Sequence, residues 1–238
     1  METMKKAKIV KRILFVSILW ILSIGIPFDS GLIPTTSIKG ETNFNLGIFD
    51  TYSEISNFDL QESQSLPSNN HIYSIALQNF AKTVIDGNSE VIRGVFSDKV
   101  LAFPVIQQPY DEPGFVSSID GVVTQFSMAA SHGVVGLLAH NYLTGRYFYD
   151  IELGSEIQII YGDGTILSYL VKEIQRYQAL QPNSQYSRFI NIESGEELSA
   201  SDLFRRVYFG ESHLTLQTCI EQGDLDSWGR MFIIADPI

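Results

Sequence analysis

Few residues of the 238-residue chain could do chemistry together: a single cysteine, Cys219, the histidines His71, His132, His140 and His213, and Arg230 at the head of an apolar run. A thiol beside an imidazole can attack a carbonyl carbon, and a guanidinium can hold the oxyanion that forms. An isolated cysteine is ordinarily a small buried hydrophobe. The stretch HLTLQTC, residues 213–219, alternates polar and apolar residues. In a strand, Leu214, Leu216 and Thr218 take one face, and His213, Thr215, Gln217 and Cys219 the other. The thiol thus belongs to the polar face, which points to an accessible groove rather than to core filling.

The thiol needs a proton partner within hydrogen-bond reach. His213 lies back along the same strand, about 20 Å away at ~3.3 Å per residue, and reads as a solvated surface histidine. His132 sits in a turn. His140 ends the apolar run GVVGLLAHN, so its imidazole emerges at a strand terminus, either as a partner for the thiol or as a histidine hydrogen-bonded at a strand end. Arg230 opens the strand RMFIIA after a connection over 220–229. If those two strands pair antiparallel, Cys219 and Arg230 become neighbours; otherwise the arginine reads as a surface ion pair with Asp224 or Asp226. The histidines show no metal-ligand spacing with each other or with the cysteine, and no GxGxxG, P-loop or GxSxG motif occurs.

The elements that must position these residues are mostly short strands. EVIRGVFS, KVLAFPVIQ, GVVTQFSMA, GVVGLLAHN, EIQIIYG, TILSYLVKEIQRYQAL, HLTLQTC and RMFIIA are rich in β-branched and aromatic residues and are separated by turn signals. Asp163-Gly164 predicts a tight hairpin between two of them. Ahead of the strands, HIYSIALQNFAKTVID sets Ile72, Ile75, Ala76, Phe80 and Val84 at helical spacing. SASDLFRRVY, 199–208, predicts a second helical stretch capped by Ser201. The class expected is all-β, a barrel or sandwich.

The formal net charge is -11, which excludes a phosphate-backbone binder, since nothing forms the basic patch that counterion release requires. The basic groups Lys5, Lys6, Lys8, Lys11 and Arg12 cluster before an uncharged run, Ile13 to Phe28. That is the layout of an export signal over residues 1–30, either a cleaved signal peptide, with Ser23-Ile24-Gly25 as a cleavage site, or a membrane anchor. Positive residues stay inside, so the remainder faces outward. Residues 31–70 read as a polar spacer and 71–238 as the folded domain.

With cysteine, histidine and arginine at strand edges of an exported β domain, the chain resembles the sortases. Thr215-Leu216-Gln217-Thr218-Cys219 matches the TLxTC signature of that family at every fixed position. LLAHN is similar to the segment that carries the family's catalytic histidine, and Arg230 matches its arginine at the start of the following strand. The likeness spans roughly residues 90–238. It implies a closed eight-stranded β-barrel with short helices, and a cysteine transpeptidase at the bacterial cell surface. Cys219 would attack the Thr-Gly bond of an LPxTG-like sorting signal and form a thioacyl enzyme, which an amine of a cell-wall precursor or surface protein resolves. His140 would protonate the departing amine and deprotonate the incoming one. Arg230 would position substrate and stabilise the oxyanion, and Thr218 would help line the oxyanion site through its backbone or hydroxyl. Glu193, Glu196 and Glu197 fall in a segment, 181–212, that varies among sortases; they could hold calcium, but a solvated loop is the expectation, with no cofactor required. Two other readings stay open on the same scaffold: a hydrolytic cysteine peptidase, and an inactive membrane-tethered binding domain.

Overall fold

The computed structural model of the chain describes residues 69–238. The expected signal and most of the expected spacer lie outside the described residues. Among the described residues no helix is long and apolar enough to cross a membrane.

A helix, α1 (Asn69–Val84), precedes a run of strands: β1 (Ile92–Ser97), β2 (Leu101–Gln107), β3 (Val123–Gln125), β4 (Val135–Leu138), β5 (Glu156–Tyr161) and β6 (Ile166–Ala179). A helical turn, α2 (Ser127–Ala130), separates β3 from β4, and a 3₁₀ segment, Thr144–Asp150, separates β4 from β5. Two short strands follow, β7 (Phe189–Asn191) and β8 (Glu197–Leu198), then α3 (Ala200–Tyr208), β9 (Leu214–Gln222) and β10 (Leu225–Pro237).

The strands pair in the order β10-β9-β4-β3-β2-β1-β5-β6, and β6 pairs again with β10, so eight strands close on themselves. Closure removes the open edges that would otherwise invite aggregation. β7 and β8 hang from β6 outside this ring. The expected closed eight-stranded barrel with short helices is thus the observed architecture. Its long strand β6 turns the corner through a register shift opposite Ile234 and Ala235, the extra residue re-aiming the side chains that follow.

Alternation sorts the residues into two cores. Val95, Val105, Leu137, Ile157, Ile159, Val171, Leu216 and Ile233 fill the barrel interior. The outer face of β9, β10 and β4 is not left to solvent: α3 lies on it, and Leu203, Phe204, Val207 and Tyr208 pack with Leu138, Tyr177 and Phe232. α3 holds this place because its apolar residues recur on one face while Ser199 caps its N-terminus, accepting from the Asp202 amide at 3.1 Å. The cap is therefore Ser199, not the expected Ser201, whose hydroxyl instead lies 2.9 Å from that of Ser199. A third, smaller core seats α1 on the barrel through Phe80, Ala81, Phe96 and Ile160. Ile75, expected on the buried face of α1, is exposed; the helix touches the barrel through its C-terminal half.

Two further expectations differ from what is observed, and two short strands were not expected at all. The residues after Gln125 leave the strand and turn into α2 rather than extending to Ala129. β7 and β8 carry too few residues to show a period in sequence. The connection between β9 and β10 is not the loop expected over 220–229: both strands run on and meet at Gly223-Asp224. Gly223 takes a φ of 61°, which a side chain disfavours, and the tight turn follows from that freedom.

Candidate active site

Antiparallel pairing of β9 with β10 places Arg230 opposite Cys219, then Phe232 opposite Gln217 and Ile234 opposite Thr215. On the other flank, β4 runs parallel to β9 with Leu138 opposite Gln217. The Ala139 amide continues that ladder to the Gln217 carbonyl at 3.2 Å. Cys219 and Arg230 thus face each other across β9 and β10 on the outer face of the barrel. His140 follows two residues after the end of β4, just past the last rung that segment makes with β9, on the opposite flank of β9 from Arg230.

The expected assignment of the cysteine to the polar face is matched by the packing: Leu214 and Leu216 enter the barrel interior, while Thr215 and Gln217 face α3. That face is nonetheless buried for most of its length. Thr215 Oγ1 donates to the Val207 carbonyl at 2.8 Å, and Tyr208 donates to Gln217 Oε1 at 2.6 Å. Cover ends before Cys219, a free and partly exposed thiol. His213 is not the solvated surface residue expected. It is buried, with its ring nitrogens 2.7 and 3.0 Å from the carbonyls of Glu211 and Val207, so it is committed to α3 and its flank.

Arg230 is 1% exposed. Its Nη1 donates to the carbonyls of Ser227 and Gly229 at 2.9 and 2.7 Å. Those carbonyls are freed by the register shift between Leu225 and Gly229, which bends β10 just ahead of the arginine. Its Nε meets no acceptor. The guanidinium is buried and bonded to backbone carbonyls, not the surface ion pair that Asp224 or Asp226 would have made. Among the described residues two other buried side-chain atoms share the lack of a partner, Gln125 Oε1 and Gln158 Oε1, both neutral amide oxygens. A buried cationic donor is the costlier one to leave unmet.

His140 is also buried, at 7% exposure, stacked on Tyr142 with ring centroids 5.2 Å apart. Burial lowers its pKa below the ordinary histidine value, and a hydrogen bond to the Val116 backbone opposes that shift only in part. Val116 belongs to the connection between β2 and β3. Gln108 braces that connection, its Nε2 donating to the carbonyls of Pro113 and Phe115 at 2.9 Å each while its Oε1 accepts from Ser127. Asn141, next along, donates to the Asp226 carbonyl at 3.2 Å and so ties the histidine's segment to the β9–β10 hairpin. Thr218 faces the barrel, on the side opposite the thiol, and its hydroxyl donates to the Ala139 carbonyl at 2.9 Å.

Sequence patterning did not single out Gln108, Asn141 or Tyr149, whose hydroxyl donates to the Cys219 carbonyl at 2.7 Å. Asn141 and Tyr149 act through partners distant in the chain, and Gln108 braces an irregular connection, so no local spacing marks any of them. The acidic triplet is engaged throughout: Glu193 lies 3.9 Å from Arg176, Glu196 pairs with both terminal nitrogens of Arg206, and Glu197 lies 2.8 Å from Arg188. Among the described residues no group of three or more acids, histidines or cysteines is placed to hold a metal ion.

The chain matches no protein-family model and no curated protein. The solved structures it is similar to include a sortase D5 transpeptidase of Clostridium perfringens, at 15% identity and a TM-score of 0.40 over 79% of this chain and 94% of that one. Sortase A from Corynebacterium diphtheriae is similar at 14% identity and a TM-score of 0.41, over 80% of each chain. Sortase C from Clostridium perfringens SM101 is similar at 12% identity and a TM-score of 0.38, over 80% of this chain and 97% of that one. The barrel itself rests on the strand pairings, and the chemistry of the site on its side chains.

Proposed function

We propose that this protein is a sortase-type cysteine transpeptidase, with Cys219 as nucleophile, His140 as proton carrier and Arg230 as oxyanion and substrate holder. The observation that supports this reading most is the pairing of a partly exposed thiol with a buried guanidinium whose Nε has no partner, beside the end of the strand that leads to the buried His140. A free cationic donor beside a nucleophile suits the charge that grows on a carbonyl oxygen under attack, because a donor already fixed in place needs no reorganisation as the charge develops.

Burial favours the neutral imidazole, so the reaction starts with a base. His140 takes the proton of the thiol as Cys219 adds to the carbonyl carbon of the scissile amide. The imidazolium then gives that proton to the leaving amine, and the thioacyl enzyme remains. An incoming amine attacks the thioester, passes its proton to His140, and the thiolate departs to recover it. Arg230 binds the oxyanion in both additions. Thr218 supports the site from the barrel side, its hydroxyl locking Ala139, and with it His140, to the strand of the nucleophile.

The substrate in this reading is an LPxTG-like sorting signal and the acceptor an amine of the cell wall or of a surface protein, outside the cytoplasmic membrane, with residues 1–30 as export signal or anchor. The test is incubation of the full chain with a sorting-signal peptide, with and without an amine acceptor. The expected result is ligated product with the amine, a mass adduct on Cys219, and loss of both in Cys219→Ala. Free acid alone in the presence of amine would make the protein a hydrolase, and undiminished cleavage by Cys219→Ala would sink the assignment.

A further inference from the structure

Tyr149 is tied to the nucleophile although it lies far from it in sequence. β4 ends at Leu138, and the last backbone rung between its segment and β9 is the bond from the Ala139 amide to the Gln217 carbonyl. Backbone groups along a strand point alternately to its two flanks, so the carbonyl of Cys219 faces the same flank as that of Gln217. There the ladder has run out. A carbonyl past the end of that ladder needs another donor, and Tyr149 supplies it at 2.7 Å.

The same chain segment carries both the histidine and this tyrosine. After His140 the backbone folds back, with the amides of Leu143 and Gly145 donating to the His140 carbonyl at 3.0 and 2.9 Å. Gly145 is pressed against Thr218: a side chain there would strike the Thr218 hydroxyl and lie 2.7 Å from the carbonyls of Ala139 and His140. The 3₁₀ turn that follows brings Tyr149 to the open end of β9. Beyond the last rung, two hydroxyls thus continue the ladder, Thr218 donating out to Ala139 and Tyr149 donating in to Cys219.

We infer that Tyr149 is a positioning residue for the reaction: its hydroxyl fixes the Cys219 peptide plane, and through it the direction in which the thiol projects between His140 and Arg230. The inference rests on the transpeptidase reading for its effect on turnover, but not for the tether itself. Burial, and behind it the neighbouring Cys219, push the Tyr149 hydroxyl up to about 12, so the phenol stays a donor throughout the neutral range.

Tyr149→Phe in the full chain removes the hydroxyl and keeps the ring. Two readouts separate the tether from the function: alkylation of Cys219 by iodoacetamide as a function of pH, and kcat and KM with a sorting-signal peptide. The expected result is a fall of about fivefold in both the alkylation rate at neutral pH and kcat, with KM unchanged. Both rates are normalised to the folded fraction from an unfolding curve, so a loss of stability alone leaves them unchanged. Tyr186→Phe, at an exposed tyrosine remote from β9 in sequence, should leave every readout as it was. Slower alkylation in a protein whose wild type never turns over the peptide keeps the tether and removes the transpeptidase. Unchanged alkylation and unchanged kcat in Tyr149→Phe overturn the tether and leave the transpeptidase standing. Should the variant fold poorly, the carbonyl carbon resonance of Cys219 in wild type decides, since a carbonyl with no phenol bonded to it would refute the inference directly.

Discussion

The outer face of β9 and β10 has two ends built from the same alternation and finished differently. At the covered end, Thr215 and Gln217 lie under α3 and each polar side chain meets a partner there, Val207 or Tyr208. At the open end stand Cys219, only partly buried, and Arg230, wholly buried with an unmet Nε. Polar residues on a strand face do not announce a groove, since a helix can cover them and satisfy them one by one. What separates structure from chemistry here is the completeness of hydrogen bonding: closed accounts under the helix, an open donor beside the thiol.

The largest effect should come from the open end. Arg230→Ala removes the unmet donor and should lower kcat/KM for a sorting peptide by about 10²- to 10³-fold. Arg230→Lys keeps a positive charge but loses the planar fork whose Nη1 holds Ser227 and Gly229 while Nε stays unpaired, so it should recover little. Both variants also free two carbonyls at the bend of β10, so unfolding curves must accompany the kinetics. A folded Arg230→Lys with near-normal turnover would erase the contrast between the two ends.

At the covered end the consequence should be stability without chemistry. Tyr208→Phe strands Gln217 Oε1 beneath α3, with both residues buried, and should cost about 1–3 kcal/mol in urea unfolding. Turnover by the folded fraction should be unchanged. A drop in kcat larger than the loss of folded protein would mean that the covered end serves the reaction as well.

Much of this contrast was legible from residue types, and the remainder had physical reasons to be hidden. Period-2 alternation over 213–219 separated Leu216 from Gln217 and Cys219, because pleating admits no other arrangement. The adjacency of Cys219 and Arg230 followed from antiparallel pairing even though the connection was taken as a loop, since a hairpin keeps its ends together at any length. The burial of Thr215 and His213 was not legible, because it depends on where α3 docks, and an amphipathic helix does not state which face it will cover. The pairing of β6 with β10 that closes the barrel, and the hydroxyl of Tyr149 on Cys219, join residues distant in sequence. Such contacts are selected by the whole fold and leave no spacing behind.

The smallest expected effect is on stability and comes through the burial of His140, which flanks the open end yet is nearly as buried as the covered end. Its pKa in the folded protein is lowered, chiefly by burial, from an ordinary value of 6.5. The unfolded chain therefore takes up a proton on this residue at a higher pH than the folded one. Between those two values the unfolded state binds more protons, and stability rises with pH. The contribution is complete above about pH 6.5 and is lost as pH falls through the window down to the folded pKa. Melting temperature should accordingly decline on acidification across that window, and His140→Gln should make the decline shallower by the share that His140 carries. Gln108→Ala sharpens the test, because it loosens the brace on the segment whose Val116 backbone bonds to the ring, the one interaction that holds the His140 pKa up. With that bond weakened the imidazole should titrate further below its ordinary value by NMR, and the acid limb of turnover should move down with it. If the imidazole of wild type already titrates at or above 6.5, burial is not governing it, and His140 must be grouped with the open end in its electrostatics as well as in its position.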